Sequence, residues 1–194
     1  MSMTHESPSM EPVPVRGFWF LRHGSTAWNK ERRAQGMTDI PLDETGVAQA
    51  RQAAVFLKGC AETGRPVSRI YSSPLSRAVE TAEIVGRMLG VSVEIVEDIR
   101  EASFGEREGQ TISDWLTDWF AGRLVLPGAE TFRTVRCRSL AAIAGRLDGA
   151  CHPLFVSHGG VWRALSEGSV AASDVANAQP HWFDASAVQA GRLL

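Results

Sequence analysis

The sequence predicts an α/β fold, namely a three-layer α/β/α sandwich with a mostly parallel central sheet. Short apolar runs bounded by loop residues alternate along the chain with longer segments in which apolar residues recur at helical spacing. Of the 194 residues, 44% are apolar and 22% are charged, which is enough apolar side chain to bury the core of one domain. No internal repeat or low-complexity tract competes with this interpretation.

The N-terminal residues 1–15, MSMTHESPSMEPVPV, are expected to form a flexible leader. They contain three prolines and no apolar periodicity. Residues 16–194 are expected to form a single domain. This domain begins with the run GFWFLR, which has the pattern of a buried strand and ends abruptly at the loop HGST.

The first long helix is predicted directly after PLDET, where Asp43 is a candidate N-terminal cap. Apolar residues recur at helical spacing from Val47 to Leu57, and the run ends at Gly59 and Gly64. The segment RIYSS then predicts a second strand.

A second helix follows that strand, with Pro74 at a plausible first helical position and Gly90 at its end. The rest of the chain is predicted to contain, in order, the strand VSVEIVEDI, a less regular region over about 100–128, a helix over about 130–147, the strand PLFVS, the helix HGGVWRALSEG and one or two edge strands in the tail from His181.

The composition excludes several classes of protein. The formal net charge is -2, and the eighteen arginines and two lysines are scattered among acidic residues, so nucleic acid is not an expected partner. No stretch approaches the roughly 18 apolar residues of a membrane span, and no signal peptide is recognisable. The chain is therefore expected to be cytoplasmic, with no membrane partner.

Cys60, Cys137 and Cys151 are odd in number and lack metal-ligand spacing, so they are interpreted as reduced thiols.

Groups that can bind an anion follow three of the predicted strands. Arg22 and His23 end the first strand, Arg77 lies one turn after RIYSS, and His158 follows PLFVS. Because the carboxyl ends of parallel strands meet at one edge of a sheet, these side chains are expected to converge there. Guanidinium groups and exposed glycine amides suit a tetrahedral phosphate.

Each of these residues alone has a structural explanation, as a capping histidine or as a surface arginine. Their joint occurrence favours phosphoryl transfer, in which a histidine attacks phosphorus and the arginines neutralise the transition state. The leaving oxygen also needs a proton. Glu101, just beyond VSVEIVEDI, is the acidic residue at the same sheet edge.

Four segments resemble, in order and spacing, the signatures of the histidine phosphatase superfamily, the phosphoglycerate mutase-like proteins. They are LRHGSTAWN, SSPLSRAVETAE, EASFGEREG and VSHGG. The milder segments QGMTDIPLDETGVAQA and PGAETF are also similar to linking motifs of the family, and the resemblance extends from Gly17 to about Ala164.

The resemblance implies a phosphoglycerate mutase-like fold and a role for each site residue. His23 would be the nucleophile that carries the phosphoryl group, and Glu101 would be the general acid and then the base. The phosphate-binding residues would be Arg22, Asn29, Arg77 and His158, of which Arg22 and His158 also belong to the catalytic set. Gln35 and Gly36 would form the substrate rim. No metal and no cofactor are implied.

Two features concern the substrate. Ser25 and Arg107 depart from the family's pattern, although neither is an essential catalytic group. The segment from about 102 to 128 is expected to form a cap over the site. Its aromatic residues Trp115, Trp119 and Phe120 could equally pack against the sheet. Four arginines are candidates either for reading a second acidic group on the substrate or for solvated surface charge: Arg100, Arg107, Arg123 and Arg133.

The sequence therefore favours a metal-independent phosphomonoesterase, of the histidine acid phosphatase type, that hydrolyses a small phosphorylated metabolite. Two alternatives remain, a phosphoglycerate mutase-type phosphoryl transferase and a non-catalytic phosphate-binding member of the fold. Fewer than twenty residues separate FGEREG from PGAETF, which favours the phosphatase because mutases of the family carry longer insertions. The oligomeric state stays open between monomer and homodimer, and the apolar tail residues Trp182, Phe183, Val188 and Leu193 are candidates for edge pairing or for a subunit contact.

Overall fold

The computed structural model describes residues 17–62, 64–147, 152–166 and 175–184. The predictions for the leader, for Cys151 and for Val188 and Leu193 lie outside these ranges. The strands are β1 (Phe18–Arg22), β2 (Arg69–Ser72), β3 (Val93–Ile95), β4 (Pro153–Ser157) and β5 (Pro180–Phe183). The helices are α1 (Ala27–Lys30), α2 (Glu44–Cys60), α3 (Ser76–Leu89), α4 (Asp114–Phe120), α5 (Phe132–Ala144) and α6 (Gly159–Ser166), with single 3₁₀ turns at Glu97–Ile99 and Gly105–Arg107.

The strands form one sheet in the order β3-β2-β4-β1-β5. All neighbouring strands are parallel except β5, which pairs antiparallel with β1 at one edge. The mostly parallel sheet is therefore confirmed, and the tail supplies one edge strand. Two aromatic residues of β5 pack on β1: Phe183 stacks on Phe18 at 5.2 Å between ring centroids, and Trp182 contacts Trp19 at 5.2 Å.

Helices cover both faces of the sheet because side chains alternate along each strand. In β1, Trp19 and Leu21 pack with α2 and α3, whereas Phe18 and Phe20 pack with α4, α5 and α6. The same alternation places Phe155 of β4 on the second of these faces. The predicted three-layer arrangement is thus confirmed.

The two central strands send their connections to opposite faces. The chain leaving β1 reaches α2 on one face, and the chain leaving β4 reaches α6 on the other. In α/β proteins, a crevice forms between two neighbouring parallel strands whose connections run to opposite faces of the sheet, and ligands bind in this crevice. His23 follows β1 and His158 follows β4, so both histidines lie at this crevice.

The helix starts show where local sequence decides structure and where it does not. Asp43 caps α2 as predicted, because its carboxylate accepts a hydrogen bond from the Gly46 amide at 2.8 Å. The placement of Pro74 at the start of α3 is wrong, since α3 begins at Ser76. The reason is a cap from a distant loop, in which the Asp39 carboxylate accepts from the Ser76 amide at 2.9 Å and from its hydroxyl at 2.8 Å.

Two further boundaries differ from the prediction. The strand predicted over VSVEIVEDI is confined to β3, because it pairs only with β2 and the chain then turns into the 3₁₀ segment that buries Ile99. Helix α5 begins at Phe132 rather than near 130, since Thr131 caps it through the Thr134 amide at 3.1 Å. No helix among the described residues is long and apolar enough to cross a membrane.

The loop that carries His23 is held against α2 by two glycines. A β-carbon on Gly24 would lie 2.5 Å from the Gly46 carbonyl oxygen, and one on Gly46 would collide with the Ser25 carbonyl. Neither position has room for a side chain. The approach of α2 to the end of β1 therefore depends on this glycine pair.

Gly46→Ala is expected to lower the free energy of unfolding by about 1–3 kcal/mol, because the new methyl group must push the Ser25 backbone away. Gly59→Ala on the same helix is the matched control, since a β-carbon there meets nothing within 4 Å. It should raise the free energy of unfolding by about 0.5–1 kcal/mol. Urea denaturation of both variants tests this, and equal effects of the two substitutions would contradict it.

Candidate active site

The crevice at the ends of β1 and β4 is a cavity of about 200 Å³. Seven of the eight predicted site residues line it: Arg22, His23, Asn29, Gln35, Gly36, Arg77 and Glu101. The eighth, His158, lies beside it, with its ring centroid 5.2 Å from that of His23. The structure thus brings together every residue that the sequence analysis selected for the site.

The hydrogen bonds of His23 define its tautomer. Its ring is buried, and Nδ1 lies 2.7 Å from the Gly24 carbonyl oxygen. A carbonyl oxygen only accepts, so Nδ1 must carry the proton and donate it. In the neutral ring, the lone pair then resides on Nε2. His23 therefore offers a nucleophilic nitrogen rather than an N–H at its Nε2 position.

His158 is completely buried behind His23. Its Nε2 lies 2.7 Å from the Ser73 hydroxyl oxygen. The Ser73 amide in turn donates to the Val156 carbonyl at 3.0 Å, so the chain continues alongside β4 beyond the end of β2. This extension carries the hydroxyl to the histidine, and it keeps Pro74 out of α3.

Both histidines are held in the neutral form by their surroundings. Burial lowers the pKa of His23 well below its ordinary value of 6.5, and the positive charges of Arg77 and Arg22 lower it further. Burial likewise lowers the pKa of His158, with additional repulsion from Arg77. At neutral pH the cationic charge of the crevice therefore comes from its arginines.

Arg77 is a fully buried guanidinium at the floor of the crevice. Its two terminal nitrogens donate to the Thr38 carbonyl at 3.0 Å and to the Gly36 carbonyl at 2.8 Å. Burial lowers its pKa to about 10, against the opposing attraction of the Glu101, Asp39 and Glu108 carboxylates. Its Nε is buried and has no hydrogen-bond partner among the described residues, so the protein leaves the hydrogen-bonding capacity of this guanidinium incompletely used.

Arg22 and Asn29 complete the basic side of the crevice. Arg22 donates to the Val175 carbonyl at 2.7 Å, which fixes its guanidinium at the end of β1. The Asn29 carboxamide oxygen accepts from the amide and the hydroxyl of Thr26, both at 3.1 Å. Because the oxygen caps α1, the amide NH₂ is the part of Asn29 suited to donate to a ligand.

Glu101 lines the same crevice and is 9% exposed. Its Oε1 accepts from the Ala102 amide at 2.9 Å and from the Gly160 amide at 3.2 Å. The second contact ties the carboxylate to the first turn of α6, next to His158. A β-carbon at position 160 would collide with this carboxylate, so the glycine there is what lets Glu101 reach the helix.

One carboxylate that the sequence analysis missed organises the rim. Glu108 accepts hydrogen bonds from the amides of Met37 at 3.0 Å, Thr38 at 2.9 Å and Phe104 at 3.1 Å, and from the Thr38 hydroxyl at 2.7 Å. It thereby holds the loop whose carbonyls bind Arg77. Its position within FGEREG was the only available signal, because the contacts join segments about 70 residues apart.

The segment 175–178 was also missed as part of the site. The Asn177 side chain donates to the His23 carbonyl at 2.9 Å, and the Ala178 amide donates to the Arg22 carbonyl at 2.9 Å. These bonds hold the end of β1 from the side opposite β4. No motif marks this segment in the sequence, since its contribution is made by the backbone and a single amide.

The mouth of the crevice has an apolar wall and its own arginines. The wall comprises Trp28, Phe104, Ile112, Leu116, Phe120 and Trp162, and the arginines are Arg32, Arg33 and Arg163. None of the four arginines that the sequence suggested for a second acidic group lines the crevice in the described part of the chain. Arg123, for example, pairs with Asp118 at 2.8 Å on the surface, which supports the surface-charge alternative.

The aromatic residues of the 102–128 segment divide between two roles. Trp115 and Trp119 are buried in the core, where their indole nitrogens donate to the Thr111 carbonyl at 3.1 Å and the Glu130 carbonyl at 2.9 Å. Phe120 lies at the crevice instead.

Within the described ranges, no group of three His, Cys, Asp or Glu side chains is placed to hold a metal ion.

Comparison with known proteins agrees with this geometry. The chain is 33% identical over 149 residues to the uncharacterized phosphatase PhoE of Bacillus subtilis, covering 75% of this chain and 72% of that protein. It is 35% identical over 153 residues to the probable phosphoglycerate mutase GpmB of Salmonella paratyphi C, covering 73% and 68%. Among solved structures, a mycobacterial glucosyl-3-phosphoglycerate phosphatase in complex with VO3 superimposes with a TM-score of 0.70 at 29% identity, over 86% of this chain and 90% of the other.

The family model of the histidine phosphatase superfamily, branch 1, matches residues 18–187. This range contains both strand ends that carry the paired histidines, the start of α3 that carries Arg77, and the loop that carries Glu101. The chain therefore belongs to branch 1 of the histidine phosphatase superfamily.

Proposed function

We propose that this protein is a metal-independent phosphomonoesterase that hydrolyses a small phosphorylated metabolite through a phosphohistidine on His23. The observation that carries this proposal is the neutral, Nδ1-protonated ring of His23, which faces an arginine-lined crevice with its Nε2 lone pair. A buried neutral imidazole between two guanidinium groups is prepared to attack a phosphate that the same groups bind.

In the first step, Nε2 of His23 attacks phosphorus and the bond from phosphorus to the ester oxygen breaks. Arg22 and Arg77 neutralise the non-bridging oxygens as charge develops on them. Glu101, in its protonated form, gives its proton to the leaving alcohol. The products of this step are the alcohol, a phosphoryl group on His23 and an ionised Glu101.

In the second step, a water molecule takes the place of the alcohol. The Glu101 carboxylate removes a proton from it as the oxygen attacks phosphorus, and the bond from phosphorus to Nε2 breaks. Inorganic phosphate is released, and both His23 and Glu101 return to their starting protonation states. The hydrogen bonds of Glu101 to the Ala102 and Gly160 amides hold the carboxyl in one place for both transfers.

A mutase differs from this phosphatase only in the acceptor of the second step, which is a substrate hydroxyl instead of water. The name of one relative supports this alternative. Support for the phosphatase comes from the shortness of the 102–128 segment, which contributes Ile112, Leu116 and Phe120 to one wall of the crevice. Turnover of 3-phosphoglycerate that depends on 2,3-bisphosphoglycerate, without release of inorganic phosphate, would favour the mutase.

The nucleophile is tested with His23→Ala. Hydrolysis of para-nitrophenyl phosphate in the presence of a chelator should fall about a thousandfold or more, since the covalent route is lost. His152→Ala is the matched control, because His152 does not line the crevice. An alkaline quench followed by intact-mass measurement should detect a phosphorylated chain only when His23 is present. Retention of most activity in His23→Ala would refute the proposal.

The neutral state of His23 predicts a pH dependence of stability. Its folded-state pKa lies below the unfolded value of about 6.5, so the unfolded chain binds the proton first as pH falls. The free energy of unfolding should therefore decrease below pH 6.5, and His23→Gln should remove up to about 1.4 kcal/mol per pH unit of that slope. Denaturant titrations between pH 7 and 5 measure the slope, and identical slopes in both chains would contradict the assignment.

Glu108→Gln tests whether the Glu108 carboxylate positions the loop 36–38, whose carbonyls bind Arg77. A carboxamide places a donor against amides that need an acceptor, so the loop that binds Arg77 should loosen. Competitive inhibition by inorganic phosphate should weaken by about tenfold. Glu106→Gln is the control, because this neighbouring carboxylate is exposed. If both variants bind phosphate as the parent does, Glu108 has no positioning role.

A further inference from the structure

The guanidinium of Arg138, on α5, binds the backbone that leads to Glu101. It donates to the carbonyls of Asp98 at 2.8 Å, of Arg100 at 2.8 Å and of Glu101 itself at 3.0 Å. Buried carbonyls need a donor, and in a regular sheet the neighbouring strand supplies it. Here an arginine from another element of the fold supplies three donors to one irregular segment.

All five N–H groups of Arg138 are used within the protein. Besides the three bonds to carbonyls, Nε and one terminal nitrogen donate to the two carboxylate oxygens of Glu130, at 2.9 Å and 2.8 Å. A guanidinium has five donors in a planar fork, and its two-point contact with a carboxylate is among the strongest hydrogen-bonded pairs. The Arg138 side chain is 10% exposed. Arg138 therefore has no donor left for a ligand, and its contacts serve to hold other groups in place.

Glu130 holds the chain on the other side of Glu101. Its carboxylate accepts from the Ser103 amide at 3.1 Å, and its own amide donates to the Ser103 carbonyl at 3.0 Å. Glu130 belongs to the motif PGAETF, no residue of which lines the crevice. The Arg138–Glu130 pair thus binds the backbone both before and after the Glu101 side chain.

The same segment is also attached to the central sheet. The Ser157 hydroxyl, at the end of β4, donates to the Ile99 carbonyl at 2.6 Å. Four consecutive carbonyls, those of residues 98–101, therefore each accept a hydrogen bond from a side chain of α5 or β4. Position matters for a proton donor, because a displacement of about 1 Å can cost about a hundredfold in rate.

We propose that the Arg138–Glu130 pair positions the general acid, by fixing the backbone from which the Glu101 carboxyl reaches the leaving oxygen. This inference rests on the proposed function, because it assigns the proton transfer to Glu101. Neither member of the pair lines the crevice, so both are positioning residues that act through Glu101. Loss of the pair impairs the first chemical step in proportion to the leaving group's need for a proton.

The test compares two esters that differ in this need, phenyl phosphate and para-nitrophenyl phosphate. Phenol is a weaker acid than para-nitrophenol, so the phenyl ester depends more on general-acid catalysis. The measured quantity is kcat/KM for para-nitrophenyl phosphate divided by kcat/KM for phenyl phosphate, which reports the steps up to cleavage of the ester bond. Both esters are hydrolysed by the same folded molecules, so a change in the folded fraction cancels in this ratio.

Arg138→Met should raise the ratio about tenfold, in the same direction as Glu101→Gln, because the phenyl ester loses more rate than the nitrophenyl ester. Arg138→Lys keeps the charge but has three donors instead of five, so it should give a smaller rise. Glu130→Gln replaces one acceptor oxygen by a donor and should also raise the ratio. These two milder variants carry the test if Arg138→Met does not fold.

The chain offers a matched control pair on its surface. Arg123 donates through Nε and one terminal nitrogen to Asp118, at 3.0 Å and 2.8 Å, but both side chains are largely exposed. Arg123→Met and Asp118→Asn should leave the ratio at the parent value. Leu57→Ala is the control for lost stability, since Leu57 is buried in the core on the face of α2 and α3. It should lower the unfolding midpoint and leave the ratio unchanged.

A ratio that rises in Glu101→Gln but stays at the parent value in Arg138→Met, or in both milder variants, would overturn the inference and leave the phosphatase intact. A rise of the same size in Leu57→Ala would also overturn it, because the ratio would then follow stability alone. If Glu101→Gln leaves the ratio unchanged, or the parent chain hydrolyses neither ester, the proposed function fails and the inference fails with it.

Discussion

The burial of the Arg77 guanidinium is the constraint on which the rest of the site depends. A buried cation is costly unless its donors are satisfied, and no carboxylate within the described residues lies close enough to form an ion pair with it. Backbone carbonyls of the loop 36–38 take two of its donors instead. A carbonyl satisfies a donor without cancelling its charge. The crevice therefore keeps a positive potential, which attracts an anion and adds to the effect of burial in lowering the pKa of both histidines.

The contacts that hold those carbonyls in place account for much of the architecture around the crevice. Glu108 fixes the loop through three hydrogen bonds and accepts a fourth from the Phe104 amide. Asp39, one residue beyond the loop, caps the start of α3. The loop is thus attached both to the rim and to the helix that carries Arg77. The hydrogen bonds of Glu108 and Asp39 thus support the position of the two carbonyls that bind the guanidinium. Glu108 is as much a part of this arrangement as the residues that face the ligand, although it does not line the crevice itself.

The predicted and observed helix starts show which features can be predicted from nearby residues in the sequence. Asp43 was correctly identified as a cap because its partner, the Gly46 amide, is three residues away. The start of α3 was misplaced because its cap comes from Asp39, whose link to Ser76 appears only in the folded chain. None of the four arginines considered for a second acidic group, Arg100, Arg107, Arg123 and Arg133, lines the crevice within the described residues. The arginines that line the mouth instead include Arg32, which reaches it through a strained turn.

The sequence by itself determined the α/β class, the order of the elements and the identity of the groups at the strand ends. It could do so because strand period, helix period and the convergence of parallel strands at one sheet edge are local or general properties. Only the tertiary structure decided the tautomer and neutrality of His23, the contacts of Glu108 and Asn177, and which arginines line the mouth. These depend on burial and on hydrogen bonds between segments far apart in the chain, and no pattern of nearby residues encodes them.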